Sequence, residues 1–379
     1  MAEQPGGLGR RTFLGALGAA VVGGGLMGTA TGASAAEAGG DVCAAPGRVY
    51  LGTYTDAASG GKGIGLARAG ANGSLTVEST AATESPSFLA VGPGGRTVYA
   101  VNELEKGTVT AFAVQDNGSL KSLGSRSSGG AHPCHLVVHP SGRYVLTANY
   151  TSGTVGVLPV QASGALGNPS HIVQHPGKPH AHQVVVSPDG KYVLATDLGT
   201  SSVYTYTLDL GTGRLTLRAT LALKSTAGSR NLVFHPNGKV VYILNELDST
   251  LVVAAYDAAS GKLTALQTVS SVPAGVKDNF PGGVAISPDG RFVYGGNRGH
   301  NTVAVFATSE EGRKVTLVAT PDCGGSWPRH LAVTPDGSTL YSANQRGNVI
   351  GIFAVDKVNG GLRKTGELRT PAPVCVLVA

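Results

Sequence analysis

One phrase recurs along this chain at nearly constant spacing, and it limits the possible folds more than any other feature. An apolar run leads into Pro-x-Gly, two or three residues follow, then a second apolar run ends in Asn or Asp. The prolines stand at 93, 140, 188, 236, 288 and 335, in steps of 47, 48, 48, 52 and 47. Nine residues after each comes Asn102, Asn149, Asp197, Asn245, Asn297 or Asn344. A unit of this size cannot bury an apolar face alone, so the repeats must stack on one another. In Ser287-Pro288-Asp289-Gly290, proline presets φ at the second turn position and glycine takes the positive φ. Before that turn lies an apolar strand such as Leu331-Ala332-Val333, and after it an alternating one such as Arg291-Phe292-Val293-Tyr294. A third strand follows each Asn, as in Thr302-Val303-Ala304-Val305-Phe306, and a fourth follows a Gly-x-Leu turn such as Gly261-Lys262-Leu263. Four antiparallel strands per repeat make one blade of a β-propeller.

The two ends predict how the ring closes. Residues from Arg48 to about Thr83 supply strands two to four of a blade without a first strand of their own. The C-terminal Pro373-Val374-Cys375-Val376-Leu377-Val378 aligns with Pro86-Ser87-Phe88-Leu89-Ala90-Val91, an innermost strand. The last strand therefore completes the first blade and leaves no free edge. Six full repeats and one shared blade give an all-β, seven-bladed propeller over 48–379. The repeated Asn or Asp is expected to cap the turn between strands two and three with its side chain.

Residues 1–35 read as an address. Arg10-Arg11-Thr12-Phe13-Leu14 matches the twin-arginine export pattern, an uncharged stretch follows to about Ser34, and Ala33-Ser34-Ala35 is a small-x-small cleavage site. Residues 36–47 form a linker. The expectation is a protein exported folded, released outside the cytoplasm with no stable membrane anchor, and monomeric. The formal charge is +6, but Lys and Arg are scattered singly with no run of five, which argues against nucleic-acid binding and for small anionic molecules. Cys43, Cys134, Cys323 and Cys375 have no metal-ligand spacing; three full disulfide pairings and none at all stay open. The Asn/Asp ring recurs at turns rather than converging on a point, so no metal and no cofactor is expected.

Several phrases together resemble the lactonase family of seven-bladed propellers, which includes bacterial propeller-type 6-phosphogluconolactonase and fungal carboxymuconate cyclase. They are Tyr50-Leu51-Gly52-Thr53-Tyr54, Pro133-Cys134-His135-Leu136, His180-Ala181-His182, Phe234-His235-Pro236-Asn237-Gly238, Asn245-Glu246-Leu247, Asn297-Arg298-Gly299-His300 and Pro328-Arg329-His330. The resemblance spans essentially the whole chain after the export segment. It implies a lactone hydrolase or a lactone-forming cycloisomerase. The repeats also resemble surface-layer propellers, which keeps a non-catalytic binding role open. Two phrases depart from the family pattern: Ser229-Arg230-Asn231 replaces Pro-Arg-His, and Gly282-Gly283 leaves one blade bare. A phosphorylated sugar lactone is a cytoplasmic metabolite, so an exported relative is expected to act on an unphosphorylated lactone or carboxylate.

The site is expected where the repeat stops repeating. Six residues before each proline stand Ser87, Cys134, His182, Arg230, Gly282 and Arg329, and ten after it Glu103, Tyr150, Leu198, Glu246, Arg298 and Gln345. Both sets open on the same end of the ring. His182, Arg230, Glu246 and Arg298 fall in three successive blades and are the catalytic candidates; the matching positions in the cyclase branch imply the same. Glu246 or His182 would serve as base, with Arg230, Arg298 and Arg329 as anion clamps. Arg329, His135, His330 and Gln345 are the substrate-binding candidates. Glu103 shares the offset of Glu246, as Gln345 does, and is expected to be a bystander. His139 and His235 are read as structural, and His175 and His180 receive no role.

Overall fold

The structure, a computed structural model, describes residues 47–379; the export motif, its cleavage site, Cys43 and all of the linker before Gly47 lie outside the described residues. Turn chemistry and alternation produce the expected result: 28 strands form seven four-stranded antiparallel sheets, and no α-helix occurs among the described residues. Blade 1 combines Arg48–Thr53, Gly63–Ala69 and Leu75–Ala82 with the C-terminal strand Pro373–Val378 as its innermost member. That strand pairs Tyr50 with Leu377 and Leu51 with Val376, so the ring closes as the end alignment predicts. Blades 2 to 7 begin at Leu89, Pro133, Ala181, Ser229, Phe280 and Pro328. Blade 2 differs from its sequence reading: its inner strand is only Leu89–Val91, and Phe88 meets the next strand through a single bond from the Val101 amide to its carbonyl.

The core lies between blades, where the apolar faces of neighbouring sheets interdigitate. Each second strand also carries a tyrosine whose hydroxyl crosses to a turn carbonyl of the next blade. Tyr50 donates to Gly118, Tyr99 to Gly164, Tyr144 to Leu210, Tyr192 to Ala259, Tyr242 to Gly312 and Tyr294 to Gly360. Tyr341 completes the circuit at Gly73 of blade 1, at 2.9 Å. Seven equivalent ties thus run round the ring, each giving a buried phenol the partner it needs.

The repeated Asn is structural, as its recurrence implies. Asn149, Asn245 and Asn297 donate through Nδ2 to the hydroxyl of Thr154, Thr250 and Thr302. Asp197 has no such donor. It accepts instead from His175 Nδ1 at 2.7 Å, from the His180 amide and from the Thr200 amide. His175, given no role from sequence, is therefore the buried partner that lets an acid replace Asn.

Candidate functional site

A local irregularity aims the side chains. In six blades the pairing of the first two strands slips at one place. Blade 4 pairs Ala181 with Asp197 and then Gln183 with Thr196, passing over His182. Blade 5 passes over Arg230, blade 7 over Arg329, blade 3 over Cys134 and blade 1 over Val374. A β-bulge turns its extra residue out of the alternation of the strand. His182, Arg230, Arg329, Cys134 and Val374 all line one small cavity, with the Cys134 thiol also against the Ala181 and His182 carbonyls of the next blade. In blade 6 the slip spans Gly282 and Gly283. A Cβ on Gly282 would stand 2.4 Å from the Pro328 carbonyl, so blade 6 is bare because blade 7 passes through that space.

Glu246 lies between two arginines. Its Oε2 is 3.0 Å from Arg230 Nε and 2.5 Å from Arg298 Nη2. Arg298 is fixed further by donating to the carbonyls of Phe280 and Pro281, and Arg230 by donating to Asn231 Oδ1. Burial, followed by the Arg298 charge, brings the Arg230 guanidinium down to about 9. Burial also lowers Arg298. His182 shares this field: burial, then Arg230, Arg329 and Arg298, hold its imidazole well below 6.5, so it is neutral at pH 7. The four catalytic candidates therefore converge on one mouth.

Arg329 lies on the other side, and Glu103 is no bystander. Arg329 Nη2 lies 3.5 Å from Glu103 Oε2, and its guanidinium covers the Tyr54 ring at 5.2 Å. Three blades meet here, with Tyr54 in blade 1 between Glu103 of blade 2 and Arg329 of blade 7. Tyr54 occupies in blade 1 the place that Glu246 holds in blade 5, and its phenol is raised by burial. Tyr150 is the other tyrosine missed from sequence. Its ring stacks on His180 at 4.5 Å and meets His182 edge-on at 5.9 Å. Its phenol is raised by burial and then by Glu246. Gln345 sits in the same ring with its Oε1 buried, making no bond to either cluster.

Trp327 adds an aromatic lip. Arg346 lies 3.4 Å and Arg298 5.4 Å from its ring centroid, and Phe280 is 6.2 Å away. Its φ is +69°, and the equivalent positions Ser85, His132, Gly228 and Ala372 are also left-handed, so the turn of the repeat sets this backbone in five blades. A tryptophan next to Pro-Arg-His, where blade 5 has glycine, is the signal that sequence reading passed over.

His135 and His330 lie beside a cavity of about 20 Å³ on the ring axis. Every blade lines it, through Val374, Ser87, Cys134, His182, Arg230, Gly283 and Arg329 among others. Phe88 packs against both histidines, at 3.9 Å from His135 and 5.4 Å from His330. Burial and then the His330 charge hold His135 well below 6.5, and burial and then Arg230 bring His330 down to about 4. Cys134 donates to the His182 carbonyl at 3.2 Å and Cys323 is likewise a buried free thiol, so neither forms a disulfide. Among the described residues no three His, Cys, Asp or Glu side chains converge as metal ligands.

Comparison with known proteins agrees with this geometry. Residues 48–378 match the family described as lactonase, seven-bladed beta-propeller. A 6-phosphogluconolactonase of Bacillus subtilis (strain 168) is 33% identical over 341 residues, covering 86% of this chain and 97% of its own. A 6-phosphogluconolactonase of Pectobacterium carotovorum is 32% identical, over 65% of this chain and 74% of its own. Among solved structures, the periplasmic gluconolactonase of Pseudomonas aeruginosa superposes with a TM-score of 0.82 at 29% identity, covering 87% of this chain and 98% of its own.

Proposed function

The chain belongs to the lactonase family of seven-bladed β-propellers, a hydrolase family, and from that premise we propose that it opens a small unphosphorylated lactone outside the cytoplasm. The observation that carries this reading is Glu246 clasped by Arg230 and Arg298 beside a neutral imidazole. Opening a lactone requires cationic donors where the carbonyl oxygen becomes an oxyanion, and a group to take a proton from water. Arg230 and Arg298 supply the donors. Neutral His182 supplies the proton acceptor, because Glu246 is already engaged on both sides. Arg329 forms one ion pair, with Glu103 at 3.5 Å, and keeps donors in hand for a carboxylate or hydroxyl of the substrate.

Arg230, Arg298 and Arg329 face two carboxylates, and Arg346 adds a further cation against Trp327, so the mouth suits an anionic ligand. The choice of an unphosphorylated lactone follows from the compartment. The resemblance to the periplasmic gluconolactonase of Pseudomonas aeruginosa supports this choice, as does the Arg10-Arg11 motif. The protein acts on this small substrate as a monomer, and without nucleic acid. The test has two arms. The purified protein is assayed with δ-gluconolactone, its 6-phospho counterpart, aryl lactones and muconates. Faster turnover of the unphosphorylated lactone is expected; preference for the phosphorylated one, or for muconate cyclisation, overturns the substrate assignment. Arg10→Lys with Arg11→Lys is expected to stop export, and undiminished export overturns the compartment.

A further inference from the structure

The axial cavity holds more unmet hydrogen-bonding capacity than a packing void would. Both ring nitrogens of His135, Nδ1 of His182 and Oγ of Ser87 are buried and have no hydrogen-bond partner within the protein. The three residues are 4%, 7% and 3% exposed. His330 turns Nδ1 to accept from the Val376 amide at 3.3 Å, so its proton sits on Nε2. Buried polar atoms of this kind carry a heavy cost unless they are paired. A space of about 20 Å³ takes one water, and a water needs two to four polar partners. This cavity offers at least four polar atoms from three blades. Its wall is shared with the mouth, because Arg230, Arg329 and His182 line both.

We propose that the axial cavity binds a single water, anchored by His135 and Ser87 against Nδ1 of His182, and that this water is the nucleophile of lactone opening. The inference rests on the lactone-opening reading and gives it the missing reactant. Water oxygen forms a bond to the lactone carbonyl carbon, and its proton passes to Nδ1 of neutral His182. The carbonyl electron pair moves to oxygen, where Arg230 meets the developing charge. Collapse breaks the bond from the carbonyl carbon to the ring oxygen, which leaves with the proton returned by His182. Lactone and water become a hydroxy acid. Because His135 and Ser87 act through the water, they are positioning residues. The size of the cavity also excludes larger nucleophiles: a space for one water leaves no room for the methyl of methanol.

Three measurements test this. An atomic-resolution crystal structure is expected to show one ordered water within hydrogen-bonding distance of His135 and Ser87; a dry cavity overturns the site whatever the enzyme's activity. His135→Phe and Ser87→Ala are expected to lower kcat by about 10²-fold through misplacement of the nucleophile, with KM within about twofold. A purely structural water would leave kcat unchanged, and wild-type kcat in both folded variants overturns the nucleophile. Val374→Ala removes two methyl groups from the wall. In methanol–water mixtures it is expected to yield methyl ester that wild type does not, and equal product ratios overturn the size filter. A wild type that opens no lactone refutes the lactone-opening function itself, while the crystal structure still decides the water site.

Discussion

Acid should destabilise this propeller well above the range in which carboxylates titrate. His135, His182 and His330 are kept neutral by burial and by the surrounding arginines; His330 sits near 4 and the other two lie well below 6.5. Once unfolded, each imidazole binds a proton at about 6.5. Below that pH the unfolded chain therefore holds more protons than the folded one. The stability is fully present above about 6.5 and drains away as pH falls towards 4. At pH 5 His330, near 4, accounts for about 2 kcal/mol of lost stability, and His135 and His182 add to it in the same direction. A domain typically has only 5–15 kcal/mol to lose. His139 and His235, also lowered by burial, act in the same direction. The depressed carboxylates, such as Asp336 at about 2, contribute only below this window. Denaturant melts between pH 7.5 and 4.5 should give a slope approaching three protons, or about 4 kcal/mol per pH unit. His135→Phe should remove one of the three. A midpoint that does not move between pH 7.5 and 5, or a His135→Phe slope equal to wild type, would refute the account of three buried neutral histidines.

Deleting Pro373 to Ala379 removes buried Val374, Cys375 and Val376, about 5 kcal/mol of apolar burial, and opens the Arg48–Thr53 edge; insoluble or unfolded protein is expected, and an unchanged Tm would mean the ring closes otherwise. Tyr341→Phe breaks the last inter-blade tie and should cost about 1 kcal/mol, read as a lower denaturant midpoint; no shift would make the ties incidental. Trp327 is the one tryptophan in the chain and lies against Arg298, so titration with D-gluconate should change its fluorescence in wild type. A signal that ignores gluconate would place the ligand elsewhere.

The fold was legible because its signals are local and repeated. Pro-x-Gly turns, the Asn nine residues on and the C-terminal Pro373–Val378 strand each state one piece of a blade, and six copies of the turn phrase leave little ambiguity. The mouth was half legible. His182, Arg230, Glu246 and Arg298 break the repeat at fixed offsets, and those offsets share one end of the ring. The bulge that aims them was not visible, because it is a slip in pairing between two strands rather than a property of either. Glu103 was misjudged for a related reason: its partner Arg329 is 226 positions away and comes near only after the ring closes. Tyr54 lies in the blade without a Pro-x-Gly turn, so the offset rule never reached it. His175 could have been suspected from Asp197, the single acid in a series of asparagines.

The central claim is that the Glu246 cluster opens lactones. The most direct test is pH-stat hydrolysis of δ-gluconolactone by wild type, Glu246→Gln, Arg298→Ala and Glu103→Gln, each checked for folding by circular dichroism. The account predicts turnover by wild type. Glu246→Gln loosens both arginines that meet the oxyanion and should lower kcat by about 10²–10³-fold, the range for a lost oxyanion donor. Arg298→Ala should weaken transition-state binding by about 1.5–3 kcal/mol, and Glu103→Gln should act chiefly on KM by freeing Arg329. Hydrolysis at the wild-type kcat/KM in folded Glu246→Gln and Arg298→Ala would contradict the account.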